Sequence, residues 1–395
     1  MRVTSATREA LRGHGVKRRR APADVVAVDA VSDRRKLALA GLVMLAARLG
    51  IVLATPDVDT DAYGHFAVGR ALLADPTNLG VHWVWLPGYH YAVWVLLHLG
   101  VGFTALRAVN ALAQAGAPFV LHDLVARRGG EEAPRAQAAA LLAALCWTLA
   151  PLANRLATSA QAETSFTLLV LAGAWAVERR RAVLAGSLLA AACLVRYEAW
   201  GAIPALALGW ALRRRQPGAV SFLIPAAAVA GWILLRRHAD GEWLAFLRTT
   251  QAFASGVRAA QGLPALLPLV LPAIILGPAL LLVPLGLRRS LRVGWLVPGG
   301  LLAFLLISYA GRGALGLERY FTALVPFACV AIADGALRMP EILRGVSARS
   351  AGRAALVTLA LTTAAHLGWM VQRARSREAE LRGYEAAASG RPAPP

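Results

Sequence analysis

LALAGLVMLAARLGIVLATPDVDTDAYGHF, residues 37–66, joins an apolar run (37–54) to three aspartates at alternate positions, Asp57, Asp59 and Asp61. The run has the length of a helix crossing a hydrocarbon core of about 30 Å. Ionised carboxylates at such a boundary cost free energy unless water, a cation or a substrate answers them, so the triplet invites a functional reading. The plainer alternative is that it solvates the first loop.

The rest of the chain repeats the apolar theme. Of 395 residues 57% are hydrophobic, the mean hydropathy is +0.54 and the formal net charge is +20. Soluble domains do not combine these values, so the expected fold is all-α: a polytopic transmembrane helical protein. The arginines come in short groups between apolar segments without interleaved aromatics, which argues for topology signals and against a nucleic-acid partner. Cys146, Cys193 and Cys329 lie far apart inside apolar segments and support neither a disulfide framework nor a zinc site. Residues 1–36 form a basic tail without a small-residue cleavage site, expected to be cytoplasmic, with the first helix as an uncleaved anchor.

Eleven spans are expected, at about 37–54, 104–126, 136–153, 164–177, 182–195, 199–212, 218–235, 264–287, 293–309, 320–337 and 354–371. Segments 87–101 and 242–260 are shorter or amphipathic and suit the membrane interface. If 87–101 does not cross, 26 of the 42 basic residues fall on the cytoplasmic side. If it does cross, 16 of those move outside, against the positive-inside rule, so it is read as re-entrant or juxtamembrane. The domains then read as the tail 1–36, a membrane module 37–338, a cytoplasmic loop with the last span 339–372, and a polar tail 373–395 lying outside.

This topology collects the hard-to-explain polar groups on one outer face. They are the aspartates, His65, the HWVWLPGYHY segment (82–91), the loop ending at Glu163, Arg196-Tyr197-Glu198, and Arg319-Tyr320. An Asp can take a proton from a hydroxyl or hold a divalent cation. Asp61 stands where a helix N-cap is expected and Asp59 just outside it, so capping is the structural explanation for Asp61. His65, four residues on, shares its face and could join a metal site. Trp85 and its aromatic neighbours could stack on a sugar, or simply belong to an interfacial belt. Glu163 fits no capping box with Thr158 or Ser159 and reads as a supporting acid or an acceptor ligand. Arg196 with Glu198 is either a local ion pair or part of an anion clamp. Arg236, Arg237, Arg248, Arg258, Arg312 and Arg319 make the outer face cationic, as a phosphate ligand would require.

No phosphate-binding loop of the Walker type, no dinucleotide fingerprint, and no HExxH or GxSxG motif occurs. The order DVDTDAY, WVWLPGY, LAPLANRLATSAQAE, LVRYEAW and LERYFTALVPF, over residues 37–340, resembles the C-type (GT-C) membrane glycosyltransferases, including protein and glycosylphosphatidylinositol mannosyltransferases. The resemblance implies transfer of a mannose-like hexose or a pentose from a polyprenyl-phosphate sugar donor to an extracytoplasmic glycan, lipid or protein acceptor. It puts the base on Asp59 or Asp61 and the donor-phosphate grip on Arg319 and Tyr320, with Arg196 as a further candidate clamp. Asp57 is then the most expendable of the three aspartates. Metal dependence varies among such enzymes, so magnesium or manganese on Asp59 and Asp61 stays open. The implied location is the plasma (inner) membrane with a cytoplasmic N-terminus. The rival reading is a transporter or flippase of lipid-linked sugars, which would favour internal repeats and polar groups at the midplane; Arg48 alone sits there.

Overall fold

The structure, a computed structural model, describes the backbone of residues 23–127, 133–212, 218–261, 276–290, 295–311, 315 and 317–392. Among the described residues there is no strand. Helix α1 (Ala23–Ala54) is followed by α2 (Thr60–Ala74), which ends just before Asp75-Pro76, where the proline bars continuation. Helix α3 (Pro87–His98) begins with proline at a first-turn position, where no N–H is missed. After a turn through Gly100, whose φ of 76° favours glycine, α4 (Phe103–Ala126) sets off at 117° to α3.

Helices α5 (Ala133–Thr148) and α6 (Pro151–Ala157) are one apolar stretch bent by 53° at Leu149-Ala150 before Pro151. Then come α7 (Ala162–Glu178), α8 (Ala182–Val195), α9 (Ala202–Ala211), α10 (Val220–Asp240) and the amphipathic α11 (Ala245–Gln261). The later helices are α12 (Val283–Ser290), α13 (Leu296–Ala310), α14 (Val325–Ile342), α15 (Ala348–Ser376) and α16 (Glu378–Ala388). Short 3-10 turns at Tyr197–Gly201 and Glu318–Leu324 carry the Arg196 and Arg319 segments into α9 and α14.

The main core joins α4 to α9 with α13 and α14 around Trp147, Phe166 and Phe327, and a smaller one packs Tyr63, Phe66, Tyr89, Phe103 and Leu381. Leu53 and Leu361, 78% and 67% exposed, point outward from long helices, as lipid-facing side chains do. Among the described residues four helices are long and apolar enough to cross a bilayer, or up to six when each bent pair counts as one span. This is an integral membrane protein. The eleven expected spans are not matched one for one. The segments expected at 182–195 and 293–309 are helices of 14 and 15 residues, about 21–23 Å long and shorter than the core they would cross. Residues 264–275 and 293–294 of two expected spans, and most of the tail 1–36, lie outside the described residues.

Polarity divides between the helix ends. The 24 residues of α4 carry the chain about 36 Å from Phe103 to Ala126. At its far end Asp123 pairs with Arg127 and Arg179, while Arg135 pairs with Glu341 at 2.9 Å and Arg338 caps the Leu285 carbonyl at 2.9 Å. The near end holds the first-loop acids. The C-terminal tail is also there: α16 packs on α2, and Arg70 donates to the Ala388 carbonyl at 2.8 Å.

Candidate functional site

The first loop is fixed before any site is formed. The Asp57 side chain is buried and accepts hydrogen bonds from Ser159 Oγ and Ala160 N–H, both at 2.8 Å, and from Asp59 N–H at 3.1 Å. Arg107 lies 3.8 Å from it and donates to the carbonyls of Thr158, Val52 and Thr55, so one cation serves an acid and the ends of α1 and α6. Burial raises the Asp57 carboxyl, and Arg107 with the Ala160 N–H pulls part of that rise back. Asp57, the expendable member of the triplet by sequence, is the one that holds the loop to the α6–α7 turn.

Capping falls on Asp59. Its side chain accepts the Asp61 N–H at 3.2 Å as N-cap of α2, and Asp61 lies in the first turn. The expected cap was Asp61. The helix starts at Thr60, two residues earlier than a cap at Asp61 would give, because Asp59 has the extended backbone that a cap needs. Both carboxylates are thereby aimed from a helix N-terminus, whose dipole favours negative charge.

Opposite them is Arg319. Its Nη1 reaches Asp59 at 3.3 Å and Gln161 Oε1 at 3.2 Å, its Nη2 binds Asp61, and its Nε faces Glu163 at 3.8 Å. Glu163 is buried in the first turn of α7 and accepts from Arg196 Nη1 at 2.5 Å. Arg196 also pairs with Glu198 at 2.7 Å, and its guanidinium stacks over the Tyr320 ring at 4.9 Å. Arg155 of α6 holds Glu318 at 2.5 Å, so neighbouring residues of the late turn are bound to two different elements. Asp59, Asp61, Glu163, Arg196, Arg319 and Tyr320 thus form one network. Glu163, 1% exposed, lies between the Arg196 and Arg319 guanidiniums.

The two aspartates titrate differently. Burial raises the Asp59 carboxyl above its ordinary range despite Arg319. Burial also pushes Asp61 upward, but Arg319, bound directly to it, prevails and holds it below. Asp59 is therefore the stronger base.

His65 and Trp85 flank this network. His65 lies one turn after Asp61, and its Nδ1 is 2.9 Å from His90 Nε2, whose Nδ1 is 2.8 Å from His82 Nδ1. Burial pushes the His65 imidazole down to about 3, so the ring is neutral. Trp85 packs against it with ring centres 4.6 Å apart, which leaves that ring partly committed to the protein. The middle histidine uses both nitrogens, so this row is a hydrogen-bonded chain and cannot converge on one ion.

The donors do not fit a divalent cation. Asp59 and Asp61 already face a guanidinium, and among the described residues no group of three or more His, Cys, Asp or Glu is arranged to hold a metal.

Sequence reasoning placed His82, His90 and Gln161 on the outer face without their partners, and missed Arg107. Arg107 carried a signal, a charge near the start of an apolar helix, which in a membrane protein needs a named partner. No family model matches the chain, and no curated protein matches it.

Proposed function

We propose that the chain is a membrane glycosyltransferase that moves a mannose-like hexose or a pentose from a polyprenyl-phosphate donor to an extracytoplasmic acceptor. One observation carries the reading: Arg319, in the late Leu-Glu-Arg-Tyr segment, meets Asp59 and Asp61 of the first loop, 260 and 258 residues away. A base and a phosphate-binding cation are thus side by side, at the end of the bundle opposite Arg127, Arg135, Arg179 and Arg338.

In the proposed reaction the acceptor hydroxyl loses its proton to Asp59 as its oxygen attacks the anomeric carbon of the donor. The bond from that carbon to the phosphate oxygen breaks, its electron pair stays on the phosphate, and the configuration inverts. The leaving group is already an anion, so it needs neutralisation more than a proton. Arg319 supplies this, and Arg196, stacked on Tyr320, supports it from behind. The network is stationed by Glu163 and Gln161, so little reorganises during transfer. The further parts of the reading are eleven spans, a cytoplasmic N-terminus, and a site on the outer face of the plasma (inner) membrane.

The test is to reconstitute the purified protein in proteoliposomes, add labelled polyprenyl-phosphate hexose or pentose with membrane glycans and glycolipids, and follow transfer. Transfer that falls at least about a hundredfold in Asp59→Asn is expected for a lost general base. Movement of the lipid-linked sugar between leaflets without transfer would overturn the enzyme in favour of a flippase.

A further inference from the structure

In this structure both Nη groups of Arg319 are engaged, chiefly by carboxylates. Asp59 and Gln161 occupy Nη1, Asp61 occupies Nη2 and Glu163 faces Nε. The arrangement is layered. Glu163 lies beneath at 1% side-chain exposure, Arg319 is at 14%, and Asp59 and Asp61 lie nearest the solvent at 26% and 36%. An anion arriving from outside therefore meets two negative groups before it meets the cation.

We infer that the phosphate of a polyprenyl lipid takes the two Arg319 edges that Asp59 and Asp61 hold here, so that donor binding releases the base and must precede acceptor activation. The inference rests on the glycosyl-transfer reading above. The exchange is one of partners, with no covalent change. Two phosphate oxygens match the parallel Nη1 and Nη2 donors as two carboxylates do, and the guanidinium stays seated through Nε and Glu163. The displaced aspartates are not stranded. Asp59 keeps the Asp61 N–H, and both remain at the N-terminus of α2. Once freed, Asp59 loses the nearby cation that had favoured its ionised form, and so becomes a better proton acceptor. An idle site with its base tied to its phosphate clamp also does not activate water against a stray sugar.

The consequence runs against the usual effect of removing site residues: neutralising the competitors should tighten donor binding. Binding of radiolabelled polyprenyl phosphate to the full-length protein in nanodiscs is measured for wild type, Asp59→Asn, Asp61→Asn and Arg319→Gln. Asparagine is as good an N-cap as aspartate, so α2 keeps its start, and circular dichroism with size exclusion checks the fold of each variant. Each Asn variant is expected to bind about three- to tenfold tighter, the span of a partly exposed ion pair removed, and Arg319→Gln at least tenfold weaker. Wild type that binds, with Asn variants that bind equally or more weakly, overturns the exchange and leaves the functional reading intact. Binding by none of the proteins overturns that reading itself. Phosphatidylglycerol nanodiscs without the polyprenyl lipid are the comparison, and equal competition by that headgroup would overturn the assignment to a polyprenyl phosphate.

Discussion

Asp57 and Asp59 stand two residues apart, one built into the scaffold and the other into the site. Removing the Asp57 carboxylate leaves the buried Ala160 N–H and Ser159 hydroxyl without their acceptor, while Arg107 keeps its three carbonyls. Asp57→Ala is expected to lower stability by about 1–3 kcal/mol, the cost of buried donors left unsatisfied. Thermal unfolding in detergent would read this loss, and Asp57→Asn should recover part of it. At Asp59 the expectation concerns rate and pH. A base must be ionised to act, and this carboxyl is raised, so transfer should fall on acidification with a midpoint above the ordinary aspartate value of about 4. A limb at or below that value would assign the base elsewhere. Asp61 has the opposite sign. Its lowered value means its pair with Arg319 contributes stability above about pH 4 and loses it as pH falls through the lowered value. Arg319→Gln should flatten that acid-side loss in an unfolding series.

Elements hold the site through close backbone approaches that side chains would forbid. A Cβ on Gly201 would lie 2.1 Å from the Gly300 carbonyl oxygen, and one on Gly300 would lie 2.2 Å from that of Gly201. The 3-10 turn just after Arg196 is thus pressed onto α13 by two facing glycines. Gly201→Ala should push the elements apart, at a cost of about 1–3 kcal/mol in thermal stability, and weaken transfer by displacing Arg196. Unchanged stability would show that the contact is loose in the membrane. The positions of α4, α7 and α8 were legible to within a few residues from their apolar runs. The start of α2 was off by two residues, because whether Asp59 or Asp61 caps depends on which of them has extended backbone, and residue type alone does not decide that. The bend at Leu149-Ala150 likewise left only Pro151 as its trace. Arg48, buried in α1, donates to Asn154 at 2.9 Å and to the Thr148 carbonyl at 3.5 Å, and so serves the polar groups freed at that bend.

At the scale of the molecule the two charged ends should face opposite sides of the membrane. Thr77 and Arg180 are exposed at the two ends, and the native Cys146, Cys193 and Cys329 are buried. Thr77→Cys should react with an impermeant maleimide from outside intact cells and Arg180→Cys only after permeabilisation. The reverse pattern would turn the proposed site toward the cytoplasm. The packing of α16 on α2 agrees with a tail on the same side as the acids. The charge segregation was readable because arginine groups and helix lengths follow one another along the chain.

The sequence by itself determined the helical membrane class, the approximate helix positions, and the set of polar residues left over once helices and topology are accounted for. These follow from hydropathy and charge summed over neighbours, which the chain carries locally. Only the tertiary structure decided that Asp57 belongs to Arg107, that Glu163 bridges Arg196 and Arg319, and that the proposed clamp and proposed base are bound to each other. Partners separated by as many as 260 residues are chosen by which helix ends meet and what burial leaves unpaired, and no local sum contains that choice.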